Sequence, residues 1–360
     1  LSNPIKRLFD LYTSDLSYQE IEKLIKREAA EVYEFFKKDI PKPEPGKSKA
    51  AKTFVFIRSL FNAFIMKLTP ARRIFYLIAL LIFIIGFSQN GHPYVLLAFI
   101  ILNLLLAFEL ADKLSAKNEL EIARKIQLEL IPKHSAKINN YEIASAYEPA
   151  REVGGDYFDV IECQDGRNFI VLGDISGKGM AAALYMVRVQ AIIHLLLNNF
   201  TTLKELMINI KKYFSKNLRK EYFLTLITAC INEDGTINLA RAGHPQALYY
   251  KSKDQQLEEL SSNGIGIGLN DKGVFEKTLS EIKIKPEKND ILLLYTDGIS
   301  ETMNYRKEIF GEENIKKIIK TYSENSAEEI KNNLLKSIYA FRGDAGQYDD
   351  LTLVVLKLSD

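Results

Sequence analysis

Two cysteines, Cys163 and Cys230, are all that the 360 residues contain. That excludes a disulfide scaffold and a cysteine-rich zinc module, and it fits a reducing, cytosolic compartment for the folded part. Histidine is scarce too, with four in the chain, so no His cluster argues for zinc. Charge is missing altogether from residues 74–108, and no basic surplus follows that gap: residues 109–360 hold 33 Lys/Arg against 37 Asp/Glu. The positive excess sits at the front, where residues 1–73 hold 15 against 9. A nucleic-acid binder would carry its positive charge on the folded domain, so nucleic acid is excluded as a partner. A basic head, an uncharged apolar middle and a mildly acidic body describe a membrane-attached protein. A composition of 47% hydrophobic and 26% charged residues rules out disorder for most of the chain. The length suggests one large domain plus something smaller.

The apolar middle reads as two short spans. Ile74 to Phe87 is unbroken, and Tyr94 to Phe108 is interrupted only by Asn103. Either run alone is shorter than the roughly 20 residues a span needs. With no charge between Arg73 and Glu109, however, both extend, and the uncharged turn Ser88-Gln89-Asn90-Gly91-His92-Pro93 joins them into a hairpin over 74–108. The competing reading is a buried helical hairpin inside a soluble domain. Lys67, Arg72 and Arg73 precede the first span and Lys113 and Lys117 follow the second, while the turn has no Lys or Arg. Both ends are therefore expected on the cytoplasmic side of the inner (cell) membrane. A second apolar run directly after the first argues against a cleaved signal peptide.

Residues 1–73 read as a basic helical cytoplasmic head. Ser17-Tyr18-Gln19-Glu20 has the capping-box form, which predicts a helix over about residues 18–39. Pro41, Pro43, Pro45 and Gly46 end it and open a basic linker. Ile57, Leu60, Phe61, Phe64, Ile65 and Leu68 then fall at helical spacing, either as an interfacial helix or as one packed on the preceding helix. After the hairpin, 109–132 is expected to be one continuous connecting helix, because Gly and Pro are missing until Pro132. Leu114, Leu120, Ala123, Gln127 and Leu130 allow a short coiled-coil seam, hence a homodimer, or else a solvated helix packed on the body.

The body, 133–360, has strand-like segments at Tyr141–Tyr147, Tyr157–Glu162, Phe169–Leu172, Phe223–Ile231, Ile237–Arg241, Ala247–Tyr250, Ile291–Tyr295 and Leu351–Leu356. Helical periodicity marks Met180–Asn198, Leu203–Asn217, Glu312–Thr321 and Ala327–Ala340. Short turns between many strands predict antiparallel sheets, and so an α+β fold with helices covering sheets. Four acidic motifs stand at strand ends: Gly154-Gly155-Asp156, Gly173-Asp174-Ile175-Ser176-Gly177-Lys178-Gly179, Thr296-Asp297-Gly298 and Gln347-Tyr348-Asp349-Asp350. Taken singly, an Asp-Gly pair is an ordinary turn. Taken together, carboxylates beside glycines suit a hard cation, Mg²⁺ or Mn²⁺, provided that they converge in space.

The run Ala150-Arg151-Glu152-Val153-Gly154-Gly155-Asp156-Tyr157-Phe158-Asp159 opens a longer pattern, followed by the Asp174 motif, Ala242-Gly243-His244-Pro245, Tyr295-Thr296-Asp297-Gly298 and Asp349-Asp350-Leu351-Thr352. In order and spacing this resembles the PPM metal-dependent serine/threonine phosphatases, in their bacterial SpoIIE/RsbU branch. Ala123-Arg124-Lys125-Ile126-Gln127 with Leu130 and Pro132 resembles the helix that leads into that domain. The resemblance covers about 120–360 and leaves residues 1–108 outside it.

The resemblance implies two stacked antiparallel β-sheets flanked by helices, with two divalent cations, Mn²⁺ or Mg²⁺, at one end. It implies that Asp174 bridges the metals, that the Ile175 carbonyl binds one, that Asp297 and Asp349 hold the other, with Asp350 able to stand in for Asp349, and that Asp156 acts at the Ile175 metal through water. Arg151 would approach the phosphate and His244 would fix a loop. Asp159 lies three residues from Asp156, on the opposite face of a strand, and is read as structural. The activity implied is two-metal hydrolysis of phosphoserine or phosphothreonine on a phosphorylated regulatory protein such as an anti-sigma-factor antagonist. The competing reading is a non-catalytic, partner-binding output module of a membrane signalling protein.

Overall fold

The computed structural model describes residues 49–359 apart from 90, 133–135, 164, 198–199, 201, 217–218, 220 and 270–271. The capping box at Ser17 and the Pro-rich segment through Gly46 lie outside the described residues. The chain divides into two units, residues 1–115 and 116–360.

In the first unit, α1 (Lys49–Lys67) is followed by α2 (Pro70–Ser88). Pro70 is at the start of α2, where its missing N–H costs nothing. Arg73 reaches back to the carbonyls of Ile65, Met66 and Leu68 and so satisfies the end of α1. Phe61 and Phe64 of α1 set their rings against Tyr76 of α2. The third helix, α3 (His92–Glu129), runs without a break through both the second apolar stretch and the charged stretch after it. The turn between α2 and α3 is thus shorter than the expected Ser88–Pro93 segment.

α2 and α3 are both long and apolar enough to cross a membrane, and little of either apolar stretch is buried. They form an antiparallel hairpin. At one end Arg72 pairs with Glu109 (2.9 Å) and Asp112 (2.7 Å). At the other, Gly86 lets the helices close, since a Cβ there would lie 2.8 Å from the Cβ of Tyr94. Ala79 and Ala98 are fully buried, small residues of the kind that let two helices approach closely.

The second unit has four layers, helix, sheet, sheet, helix. Sheet A has the order β1 (Ala136–Ile138), β2 (Tyr141–Glu148), β11 (Leu351–Leu358), β10 (Ile291–Tyr295), β7 (Ala247–Lys251), β8 (Gln256–Leu260). Sheet B has β3 (Asp156–Glu162), β4 (Asn168–Ile175), β5 (Leu224–Ile231), β6 (Ile237–Ala242), β9 (Glu281–Ile284). All these strand pairs are antiparallel. The period-2 alternation sorts sheet A side chains between two cores. Leu292, Leu294, Val354 and Leu356 join the core shared with sheet B. Ile291, Leu293, Tyr295, Leu353 and Val355 join the core under α8 (Glu312–Thr321) and α9 (Ala327–Arg342). Sheet B is covered by α4 (Met180–Leu196) and α5 (Leu203–Ser215), through Met186, Val189, Ile193, Leu206, Ile210 and Phe214. Two short helices, α6 (Val274–Thr278) and α7 (Asp297–Ser300), complete the unit among the described residues. This is the expected α+β architecture of two stacked sheets between helices.

Candidate active site

The acidic motifs converge at one seam between the sheets. Asp156 opens β3 and is directly cross-strand from Asp174, near the end of β4. Asp297 follows β10, and Asp349 and Asp350 precede β11, the neighbour of β10 in the other sheet. Asp156 is 2% exposed, and its Oδ2 accepts from the hydroxyls of Thr296 (2.9 Å) and Thr352. Thr352 lies in β11 of sheet A and Thr296 directly follows β10, so their bonds to Asp156 stitch the sheets together. Both stand within the sequence motifs, where spacing alone assigns neither a role.

Adjacent residues do different work. The Asp350 carboxylate is buried and accepts from the backbone N–H groups of Ala150 (2.7 Å), Gly155 (2.6 Å) and Asp156 (3.4 Å). It holds the 150–156 loop. Asp349 is half-buried; its Oδ1 accepts from the Asp350 N–H at 3.0 Å and its Oδ2 pairs with Lys178 at 2.9 Å. Gly298 is required where the loops cross, because a Cβ there would fall 1.9 Å from the Asp350 carbonyl oxygen.

The same loop is held from its other side by α3. Gln127, 3% exposed, donates from Nε2 to the Gly154 carbonyl (2.7 Å) and accepts from the Gly154 N–H at Oε1 (3.0 Å). Arg124 donates to the carbonyls of Arg151 and Glu152. One residue of the candidate coiled-coil seam therefore faces the body. The Arg151 side chain is exposed, with Nη1 3.9 Å from the place a Cβ would take on Gly179.

Asp159 stands apart from the cluster. It accepts from Tyr157 (3.0 Å) and Gln190 (3.4 Å) and pairs with His194 (2.6 Å) on the helix side of sheet B. His244 is buried, with Nδ1 2.9 Å from the Thr225 hydroxyl and its backbone carbonyl accepting from Arg241. Burial pushes its pKa down to about 3, which leaves a neutral imidazole.

Asp174, Asp297, Thr225 and His244 line a cleft of about 310 Å³ together with Glu301 and Glu312. Its electrostatics are those of crowded anions. Burial, then the charges of Asp297, Asp349 and Asp350, push Asp174 up to about 7. Burial and the charges of Asp174 and Asp350 hold Asp156 well above the usual range. Asp297 is raised by burial and by Asp349 and Glu301. Such a group of half-buried oxygen donors fits a hard divalent cation, whose charge offsets the repulsion. The backbone is also open to one: a Cβ on Gly155 would lie 3.0 Å from the Ile175 carbonyl oxygen and 3.6 Å from Asp174 Oδ1. Among the described residues, no three Asp, Glu, His or Cys side chains close around a single point.

The chain resembles known proteins along this whole unit. It is 26% identical over 242 residues to the phosphoserine phosphatase RsbU of Bacillus subtilis, covering 67% of this chain and 70% of RsbU. In fold it is similar to the SiaA-PP2C domain of Pseudomonas aeruginosa, with a TM-score of 0.60 at 17% identity over 69% of this chain and 98% of that one. It is likewise similar to the PP2C phosphatase domain with a fragment of the regulatory domain of SpoIIE from Bacillus subtilis, with a TM-score of 0.53 at 18% identity over 62% of this chain and 64% of that one. The profile of Stage II sporulation protein E matches residues 164–359, more than half of the chain, and the chain belongs to the SpoIIE family.

Proposed function

We propose that the chain is a membrane-anchored protein serine/threonine phosphatase that removes phosphate from a phosphorylated regulatory protein on the cytoplasmic side, using two divalent cations. The observation that carries this reading is that Asp156 and Asp174 stand cross-strand at one end of sheet B, with Asp297, after β10, and Asp349, ahead of β11, close enough for their charges to raise Asp174. Asp174, Asp297, Asp349 and the Ile175 carbonyl would hold Mn²⁺ or Mg²⁺, with Asp156 acting beside Ile175. Bound there, the cations supply neutralisation of the phosphoryl oxygens and an acidified water at neutral pH. Thr296 and Thr352 orient Asp156, Asp350 fixes the loop that carries it, and Arg151 at the exposed mouth binds the phosphate. The hydroxyl bonds keep Asp156 in one rotamer, which is the preorganisation such hydrolysis needs.

The phosphoserine named for RsbU supports a phosphoserine-bearing protein as the substrate, and the regulator we propose is an anti-sigma-factor antagonist. The full chain in detergent should release phosphate from a phosphoserine protein with Mn²⁺ or Mg²⁺ and not with chelator. Release that persists in chelator would refute the two-metal reading, and tight binding without release would make the chain an output module.

The charge-free stretch 74–108, carried by α2 and the first part of α3, supports the anchor, with both ends cytoplasmic by the placement of Lys and Arg. The unbroken α3 supports a signalling role: it leads from the apolar stretch to Arg124 and Gln127, which hold the Arg151–Asp156 loop. Leu110, Leu114, Ile122 and Ile126 are exposed on it and provide the apolar surface for a homodimer.

A further inference from the structure

We propose that Lys178 is a tethered cation that competes with a divalent cation for Asp349, so that loading the Asp297–Asp349 side of the site requires Lys178 to be displaced. The inference rests on the metal-dependent reading above. Lys178 stands between Gly177 (φ 99°) and Gly179 (φ 75°), and these left-handed positions let the loop after β4 turn its one long side chain out. The ammonium is 2.9 Å from Asp349 Oδ2, donates to the Tyr348 carbonyl and lies 4.2 Å from the centroid of the Tyr348 ring. All three contacts fall on one pair of residues ahead of β11.

Of the five clustered aspartates, Asp349 is the one in an ion pair among the described residues. Asp156 is held by hydroxyls and Asp350 by backbone amides. Asp349 Oδ1 accepts from the Asp350 N–H, and Lys178 engages the other carboxylate oxygen, Oδ2, which a metal would have to share or take over. With side chains 32% and 39% exposed, the pair is weak and a divalent cation can break it.

The test is a Mn²⁺ titration of the full chain in detergent, with free Mn²⁺ followed by its electron paramagnetic resonance signal and no activity read. Wild type should bind two equivalents. Lys178→Met should tighten the weaker class about fivefold, the scale expected for losing an exposed ion pair and a like charge, and Lys178→Arg should stay within about twofold of wild type. In an Asp349→Asn background, Lys178→Met should tighten binding clearly less than it does beside Asp349, a coupling that a merely structural lysine would not show. Lys178→Gln, with circular dichroism to verify its fold, serves if the Met variant does not fold. Unchanged or weaker binding in the uncharged variants, with two equivalents still bound by wild type, overturns this inference alone. No Mn²⁺ bound by wild type overturns the metal-dependent reading with it.

Discussion

Replacing Asp174 by Asn should stabilise the metal-free protein while abolishing its activity. The Asp174 carboxyl is pushed up to about 7 from an ordinary 3.8, and each tenfold change in an ionisation equilibrium is worth about 1.4 kcal/mol. In the unfolded chain the carboxyl ionises in its ordinary range, whereas in the folded, metal-free protein it keeps its proton up to about 7. Folding is therefore unpenalised by this group below the ordinary pKa, loses stability as pH rises between the two values, and bears the full cost above the folded one. That cost is at most about 4 kcal/mol, and about 2–4 after relaxation of the charged cluster. Asn keeps the shape and removes the charge. At pH 8 in chelator, Asp174→Asn should raise Tm by roughly 5–15 °C for a unit of this size, and at pH 5 by roughly a third of that. The chain has no tryptophan, so unfolding is best followed by far-UV circular dichroism. Saturating Mn²⁺ should reverse the order, because the wild type then gains binding free energy that the variant lacks. A Tm for Asp174→Asn equal to or below wild type at pH 8 in chelator would refute the reasoning.

Gln127→Ala leaves the buried Gly154 N–H and carbonyl without partners, which should cost about 1–3 kcal/mol and lower phosphate release; an unchanged Tm would show that water replaces the glutamine. A cysteine at Gln89 should be labelled from outside the cell by an impermeant thiol reagent and one at Ser115 should not, the reverse pattern refuting the topology. Two residues inserted near Lys117 turn the downstream helix by about 200° and should change activity in membranes strongly. If a Gly-Ser replacement of Ser115–Asn118 leaves activity and oligomeric state untouched, α3 is a passive tether.

The strands legible in the sequence are those whose apolar runs are long enough to be buried, such as β4, β5, β10 and β11. The three that the pattern does not reveal, β1, β8 and β9, are all at sheet edges. An edge strand pairs on one side only and tolerates the Glu and Lys of Gln256–Leu260 and Glu281–Ile284, so its pattern carries little hydrophobic signal. Asp156, Asp174 and Asp297 are legible because each stands beside glycine at a strand end, and Asp349 and Asp350 because the pair leads directly into a strand. What each carboxylate touches was not, since the partners are far apart in sequence: Thr352 for Asp156, Gly155 for Asp350, Lys178 for Asp349. Asp349 and Asp350 look interchangeable as letters. In the approach to β11 they face opposite ways, as consecutive residues of an extended chain do, and one supports the loop while the other faces Lys178.

The position of the site at the seam has a mechanical consequence. Asp156 belongs to sheet B, and of its hydroxyl donors Thr352 lies in β11 of sheet A and Thr296 directly follows β10, so any change in the spacing of the sheets is a change in the geometry of Asp156. The loop before it is gripped twice, by Asp350 at Ala150 and Gly155 and by Arg124 and Gln127 at Arg151, Glu152 and Gly154. A rotation of the last turns of α3 would have to break the Gln127 pair or carry Gly154 with it. In the second case Asp350, bonded to the neighbouring Gly155 N–H, must follow or release it. Motion of the helix would thus reach Asp156 through two residues of one loop, and the loop contacts at stake are a few hydrogen bonds, about 1 kcal/mol each. That is small enough for a signal arriving along α3 to switch.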